Sequence, residues 1–174
     1  MNATSSVERS EFIPAMRQVA SSVTVVTTNG PAGQAGATVS AFSSLSADPP
    51  SVLICLRGDS RIARTVSENH TFCVNLLPEH AQDLAQNFAG AKDQIRNTRF
   101  RDMALTNTPS GPVLPEATGF VCRVENIMDH GTHRIFIGNV YAIHATTLRP
   151  LTYMDGRFHT VHPQHIPTGG SQCP

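Results

Sequence analysis

The sequence predicts a β-barrel of the α+β kind, in which antiparallel strands carry helices inserted between them. Three observations lead there. Strand-like stretches recur along the chain, beginning with the almost purely β-branched VTVVTT at 23–28. Clusters of turn formers join them, NGPAGQAG after that stretch and the pair Asp155–Gly156 near the end. Helical patterns fall between strands, but without the glycine-rich strand-to-helix turn of a doubly wound parallel sheet.

Residues 7–21 place Phe12, Ile13, Met16, Val19 and Ala20 at helical spacing, with Pro14 tolerable only in a first turn, so a short amphipathic helix covering one end of a sheet is expected. The strand at 23–28 and the segment from Gly36 form a hairpin. That returning segment, GATVSAFSSLS at 36–46, starts as a strand and then loses its large side chains in favour of hydroxyls. Asp48, Pro49 and Pro50 break it, because proline lacks an amide donor and restricts the residue before it. The next strand, SVLICLR, is nearly continuously apolar, which predicts burial on both faces.

Asp59 and Ser60 offer capping oxygens to a helix on which Ile62, Ala63 and Val66 share a face. A strand at 72–77 follows. Pro78 and Glu79 open a further helix whose stripe is Leu84, Ala85 and Phe88, with Gly90 as its stop. Residues 92–108 are mixed and polar. Gly111 and Pro112 mark a turn before two long strands, 118–127 and 134–145, connected by MDHGTH. Asp155–Gly156 closes a last two-residue hairpin of type I′. One domain over 1–161 and a mobile tail over 162–174 are expected.

Composition removes several classes of function. With 13 basic and 13 acidic residues there is no electrostatic footprint for a nucleic-acid backbone or an anionic membrane. No apolar run approaches the roughly 20 residues that span a bilayer, and residues 1–11 hold no signal core, so a cytoplasmic protein is expected. Cys55, Cys73, Cys122 and Cys173 are far apart, and the first three sit among apolar neighbours, as buried thiols do. His159, His162 and His165 are evenly spaced, yet Pro163 prevents one helix from presenting all three and no carboxylate lies nearby. No metal site is expected. The phosphate-loop lysine and the G-x-S-x-G elbow are absent, which removes ATP chemistry and serine hydrolysis. His70, His80, His130 and His144 carry no assigned role.

The linked pattern GATVSAFSSLS, then DPP and an apolar strand at 36–54, resembles the flavin reductase-like family, the small reductase components of two-component aromatic monooxygenases. SRIA at 60–63, FCVNLL at 72–77, NFAG at 87–90, GPVL at 111–114, GTHRIFIGNV at 131–140 and PLTY at 150–153 follow in the family's order. One departure is visible: the family usually has Asp between that Gly and His, and here Thr132 stands there.

The resemblance, which runs from about residue 12 to 161, implies a split β-barrel of the FMN-binding kind. It also implies a homodimer with flavin near the subunit interface, hydride transfer from NADH or NADPH to FMN or FAD, and an oxygenase component that receives the reduced flavin. An isoalloxazine ring is flat and edged with carbonyl oxygens and ring nitrogens, so a close-approaching backbone and short hydroxyls suit it. Thr38, Val39, Ser40, Ala41, Ser43 and Ser44 are the candidates. Ser60 and Arg61, at a helix N-terminus, suit the flavin phosphate. Asn75 either directs its amide into the pocket or is a satisfied buried polar group, and both readings stand. Phe88 reads as core. His133 matches the family histidine near the nicotinamide; no acid or nucleophile is otherwise required, because the redox chemistry belongs to the cofactors. A flavin-binding carrier module and a non-catalytic subunit are the competing readings.

Overall fold

The computed structural model describes residues 6–90 and 99–164. Helix α1 (Arg9–Arg17) precedes β1 (Ser21–Ser22), β2 (Thr24–Thr28), β3 (Ala35–Val39), β4 (Phe42–Ala47) and β5 (Pro50–Arg57). Then come α2 (Arg61–Asn69), β6 (Thr71–Leu76), α3 (Gln82–Phe88), β7 (Thr118–His130), β8 (His133–His144), β9 (Leu151–Met154) and β10 (Arg157–Thr160). Seven strands form an antiparallel sheet in the order β3-β2-β6-β7-β8-β5-β4, and β1, β9 and β10 form a small second sheet. The two outer strands of the large sheet, β3 and β4, are consecutive in the chain and separated only by Ser40 and Ala41. The sheet therefore curls to bring its edges together, the barrel-like mainly-β architecture that the sequence predicts.

Alternation along the strands sorts the side chains into two main cores. One holds Val26, Val39, Ile54, Phe72, Val74 and Phe136 inside the curl, closed by Ile62, Ala63 and Val66 of α2. The other lies behind β2 and holds Val23, Val25, Leu77 and Leu151 against Ala85 and Phe88 of α3 and Leu114. Strand β2 is thus buried on both faces, as is most of β6. The expectation of two-faced burial for SVLICLR is not met, since Leu53 and Cys55 in β5 are only half-buried. Next to the edge strand, β5 has a helix on one side only.

Two elements differ from expectation. Helix α1 forms, but none of its residues is buried, and Phe12 and Met16 remain 56% and 49% exposed. Pro14 lies in its interior because the helix begins at Arg9. One tie, from the Asp155 amide to the Arg17 carbonyl at 2.8 Å, holds its end. The β7–β8 connection is Gly131–Thr132 alone, with His130 paired to His133, so most of MDHGTH belongs to the strands. Gly131 at φ 56° supplies the left-handed first position of a type II′ turn, which lets the ladder run to its tip. Asp155 and Gly156, at φ 48° and 78°, make the expected I′ hairpin. Residues 165–174 of the predicted tail, with His165 and Cys173, and residues 91–98 lie outside the described residues, as do the first five.

Asn75 fits the second of its two readings, a satisfied buried polar group. It is fully buried in β6 and its amide is spent inside the fold. Nδ2 donates to the Val25 carbonyl (3.1 Å) and the Thr27 hydroxyl (3.2 Å), while Oδ1 accepts from the Leu114 amide (2.8 Å). The Thr27 hydroxyl in turn donates to the Pro112 carbonyl at 2.7 Å. Together these bonds latch the turn at Gly111–Pro112 across β2 and β6, so the polar atoms of Asn75 are satisfied within the core.

Asn75→Ala should orphan the Leu114 amide and destabilise the fold by about 1–3 kcal/mol, read as a lower urea midpoint at unchanged slope. A second expectation concerns the thiols. Burial pushes Cys73 up to about 12 and Cys122 higher still, so neither forms thiolate near neutrality. A thiol reagent at pH 8 should modify both only after denaturation; rapid labelling of the native protein would contradict their burial.

Candidate functional site

Arg57 ends β5, and the chain turns through Gly58 and Asp59 into α2. Ser60 caps that helix: its hydroxyl accepts from the Ala63 amide at 3.2 Å and donates to the Arg57 carbonyl at 2.6 Å. Capping leaves the first two amides of α2, those of Arg61 and Ile62, without an intrahelical acceptor. The Arg57 guanidinium grips Asp59 with two bonds, 3.1 Å and 2.7 Å, which hold that carboxyl below its ordinary range. Arg64, one turn along from Arg61, donates to the Asp59 carbonyl at 2.6 Å.

Opposite this helix start runs β3. A Cβ on Gly36 would sit 2.7 Å from the Phe88 ring and 2.8 Å from the Phe100 ring, so only glycine lets that edge-to-face pair press on the strand. Arg99 binds the arrangement together, donating to the Gly36 carbonyl at 2.9 Å and the Phe88 carbonyl at 3.0 Å. Between helix start, strand and aromatic pair lies an open groove of about 960 Å³. Three arginines (Arg61, Arg64 and Arg99) line it, and no carboxylate does among the described residues. With the free amides at the start of α2, this is a site for an anion joined to a less polar body. A flavin phosphate meets that description.

The structure brings Thr38, Ser60 and Arg61 together on the groove. The Thr38 hydroxyl is tied to the Ala85 carbonyl at 2.6 Å, and Arg61 reaches the Gln34 carbonyl at 3.3 Å. Val39 turns its side chain into the core, so any contact from it is through backbone. Ser40, Ala41, Ser43 and Ser44 lie beyond the bend, exposed on the seam and on β4. Ser40 also borders a smaller, more apolar hollow between Met16 of α1 and Tyr153 of β9. His133 stands outside the groove at the exposed tip of β8, opposite Arg57 in register, with Nδ1 3.0 Å from the Thr132 hydroxyl. The Gly58 amide donates to the Thr132 carbonyl at 3.0 Å and fastens this tip beside the start of α2.

Sequence reasoning missed Arg64, Arg99 and Phe100. Arg64 was within reach, since positions three apart on a helix share a face with Arg61. Arg99 and Phe100 carry no periodic signal in their polar stretch. Phe88, read as core, is both: fully buried and part of the groove wall.

Comparisons with known proteins show the family of the chain. The chain is 37% identical over 155 residues to the reductase component of 4-nitrophenol 4-monooxygenase/4-nitrocatechol 2-monooxygenase of Rhodococcus opacus, covering 87% of this chain and 80% of that protein. It is 34% identical over 158 residues to the FMN reductase (NADH) RutF of Serratia proteamaculans, covering 89% of each. Among solved structures, BorF, the flavin reductase component of a bacterial two-component tryptophan halogenase, superposes with a TM-score of 0.81 at 26% identity, over 90% of this chain and 100% of that one. The family model described as flavin reductase like domain matches residues 16–162, and the chain belongs to that family.

Proposed function

We propose that the chain is a flavin reductase that carries hydride from NADH or NADPH to FMN or FAD and releases the reduced flavin to an oxygenase component. The observation that carries this reading is the groove in which a capped helix start and three arginines face a glycine-bearing strand that leads directly into exposed hydroxyls. The phosphate belongs at Ser60, Arg61 and the free amides of α2. The ring system belongs along the backbone and hydroxyls from Thr38 to Ser44. His133, fastened beside the same turn, belongs to the nicotinamide.

Hydride passes directly between the two cofactors, so the chain's residues bind, align and exclude water. The Serratia relative, an FMN reductase (NADH), supports a flavin substrate and NADH as donor, and the Rhodococcus relative, the reductase component of a 4-nitrophenol monooxygenase, supports an aromatic compound as the oxygenase's substrate. The reading includes a homodimer, supported by exposed Leu45, Met128, Tyr141 and Ile143 on β4, β7 and β8. It also includes a cytoplasmic place of action. Among the described residues no helix is long and apolar enough to cross a membrane.

Mixed anaerobically with excess FMN or FAD and either nicotinamide, the protein should bleach nicotinamide and oxidised-flavin absorbance together over many turnovers. Tight flavin binding without turnover would replace the reductase reading with that of a carrier module. Ser60→Ala should weaken FMN binding about two- to tenfold by removing the cap that orders the first turn of α2 around the phosphate. His133→Ala should slow nicotinamide oxidation more than it weakens flavin binding; full turnover with unchanged nicotinamide KM would remove that residue from the site.

A further inference from the structure

The geometry points to Thr132 as the positioning residue of His133, fixing which imidazole nitrogen faces the nicotinamide. The inference rests on the proposed role of His133. Thr132 is bound at both of its polar ends. Its carbonyl accepts from the Gly58 amide at 3.0 Å, which fixes the hairpin tip against the turn into α2. Its hydroxyl lies 3.0 Å from His133 Nδ1.

No other side chain among the described residues bonds to that imidazole. The two positions paired with His133 in the sheet are His130 on β7 and Arg57 on β5. Neither supplies a carboxylate. The acids closest to it along the chain and the sheet are already engaged, Asp59 by Arg57 at 2.7 Å and Asp129 by Arg134 at 2.6 Å. Orientation of the ring therefore falls to a neutral hydroxyl.

A threonine hydroxyl has one proton to donate, and among the described residues His133 Nδ1 is the protein atom bonded to it. Donating to Nδ1, it leaves the ring proton on Nε2, so the outward edge of His133 is a hydrogen-bond donor. The carboxamide oxygen of the nicotinamide is the acceptor in the substrate that such a donor fits. Thr132 thereby acts through the histidine and touches no substrate itself.

The test is a double-mutant cycle on the full chain, with Thr132→Val, Thr132→Ser, His133→Ala and the Thr132→Val/His133→Ala pair. Each is assayed for kcat and KM toward the preferred nicotinamide at saturating flavin, for flavin Kd, and for melting temperature. Thr132→Val should lower kcat/KM about three- to tenfold, the scale of one hydrogen bond, with flavin Kd unchanged and activity restored in Thr132→Ser. On the His133→Ala background it should have no further effect. Nitrogen-15 spectra of the His133 ring should show the proton on Nε2 in the parent and a mixture of tautomers in Thr132→Val. Should valine unfold the hairpin, Thr132→Ala provides the same readouts.

An equal loss on the His133→Ala background would assign Thr132 a backbone role and overturn the inference. So would a kcat/KM for Thr132→Val within about twofold of the parent while His133→Ala is impaired. If His133→Ala itself retains full kcat/KM, the role of His133 fails first, which separates the two claims.

Discussion

Ser40 and Ala41 are all the chain has with which to pass from one edge of a seven-stranded sheet to the other. Laid flat, six inter-strand spacings of about 4.8 Å would put those edges about 29 Å apart. Three residue steps at full extension reach only about 11 Å. The sheet has to curl, and most of the site follows from that. Curling encloses the core beneath α2. It also places the end of β3, the bend and the start of β4 in one line, with the Cys55 amide of β5 donating to the Ala41 carbonyl at 3.0 Å and holding the bend to the β4–β5 ladder. The small hydroxyl-bearing residues that make 36–46 a poor core segment are those the seam tolerates, because large side chains there would have no core to enter.

Electrostatics adds a second constraint that total charge conceals. The chain is neutral, yet three of its acids are engaged away from the groove: Asp59 by Arg57, Asp129 by Arg134 and Glu79 by Arg149. Largely exposed pairs of this kind contribute little stability. Their effect is on position, since among the described residues that line the groove Arg61, Arg64 and Arg99 are present and no carboxylate is. An anion entering there meets a local field that a count of charges over 174 residues averages away.

Local chemistry was legible in the sequence and long-range contact was not. The Ser60 cap and the Asp155–Gly156 turn depend on a few adjacent residues, and both form where the sequence places them. The family pattern made the curled sheet legible as well. The partner of Asn75 is a carbonyl fifty residues earlier and an amide thirty-nine later, so no window around Asn75 could reveal that its amide is spent. Arg99 and Phe100 reach the groove only because Gly36 leaves room for an aromatic pair. The apolar stripe of α1 was read correctly as a helix face, but a stripe does not say what it packs against, and here it packs against little.

The openness of the groove suits the proposed reaction better than a closed pocket would. A reductase that passes reduced flavin to a second protein must hold it long enough for hydride transfer and then let it go. Hydrogen bonds from exposed hydroxyls and helix amides contribute about 0.5–1.5 kcal/mol each, so a few of them position a flavin without making its departure slow. Deep burial of the ring would add apolar contact and lengthen residence in proportion. A seam of serines on a curled sheet therefore gives orientation with limited affinity. On this reading the fixed elements are those that set geometry: the Ser60 cap, the Gly58–Thr132 bond and the aromatic pair on Gly36. The ligand is the part left free to leave.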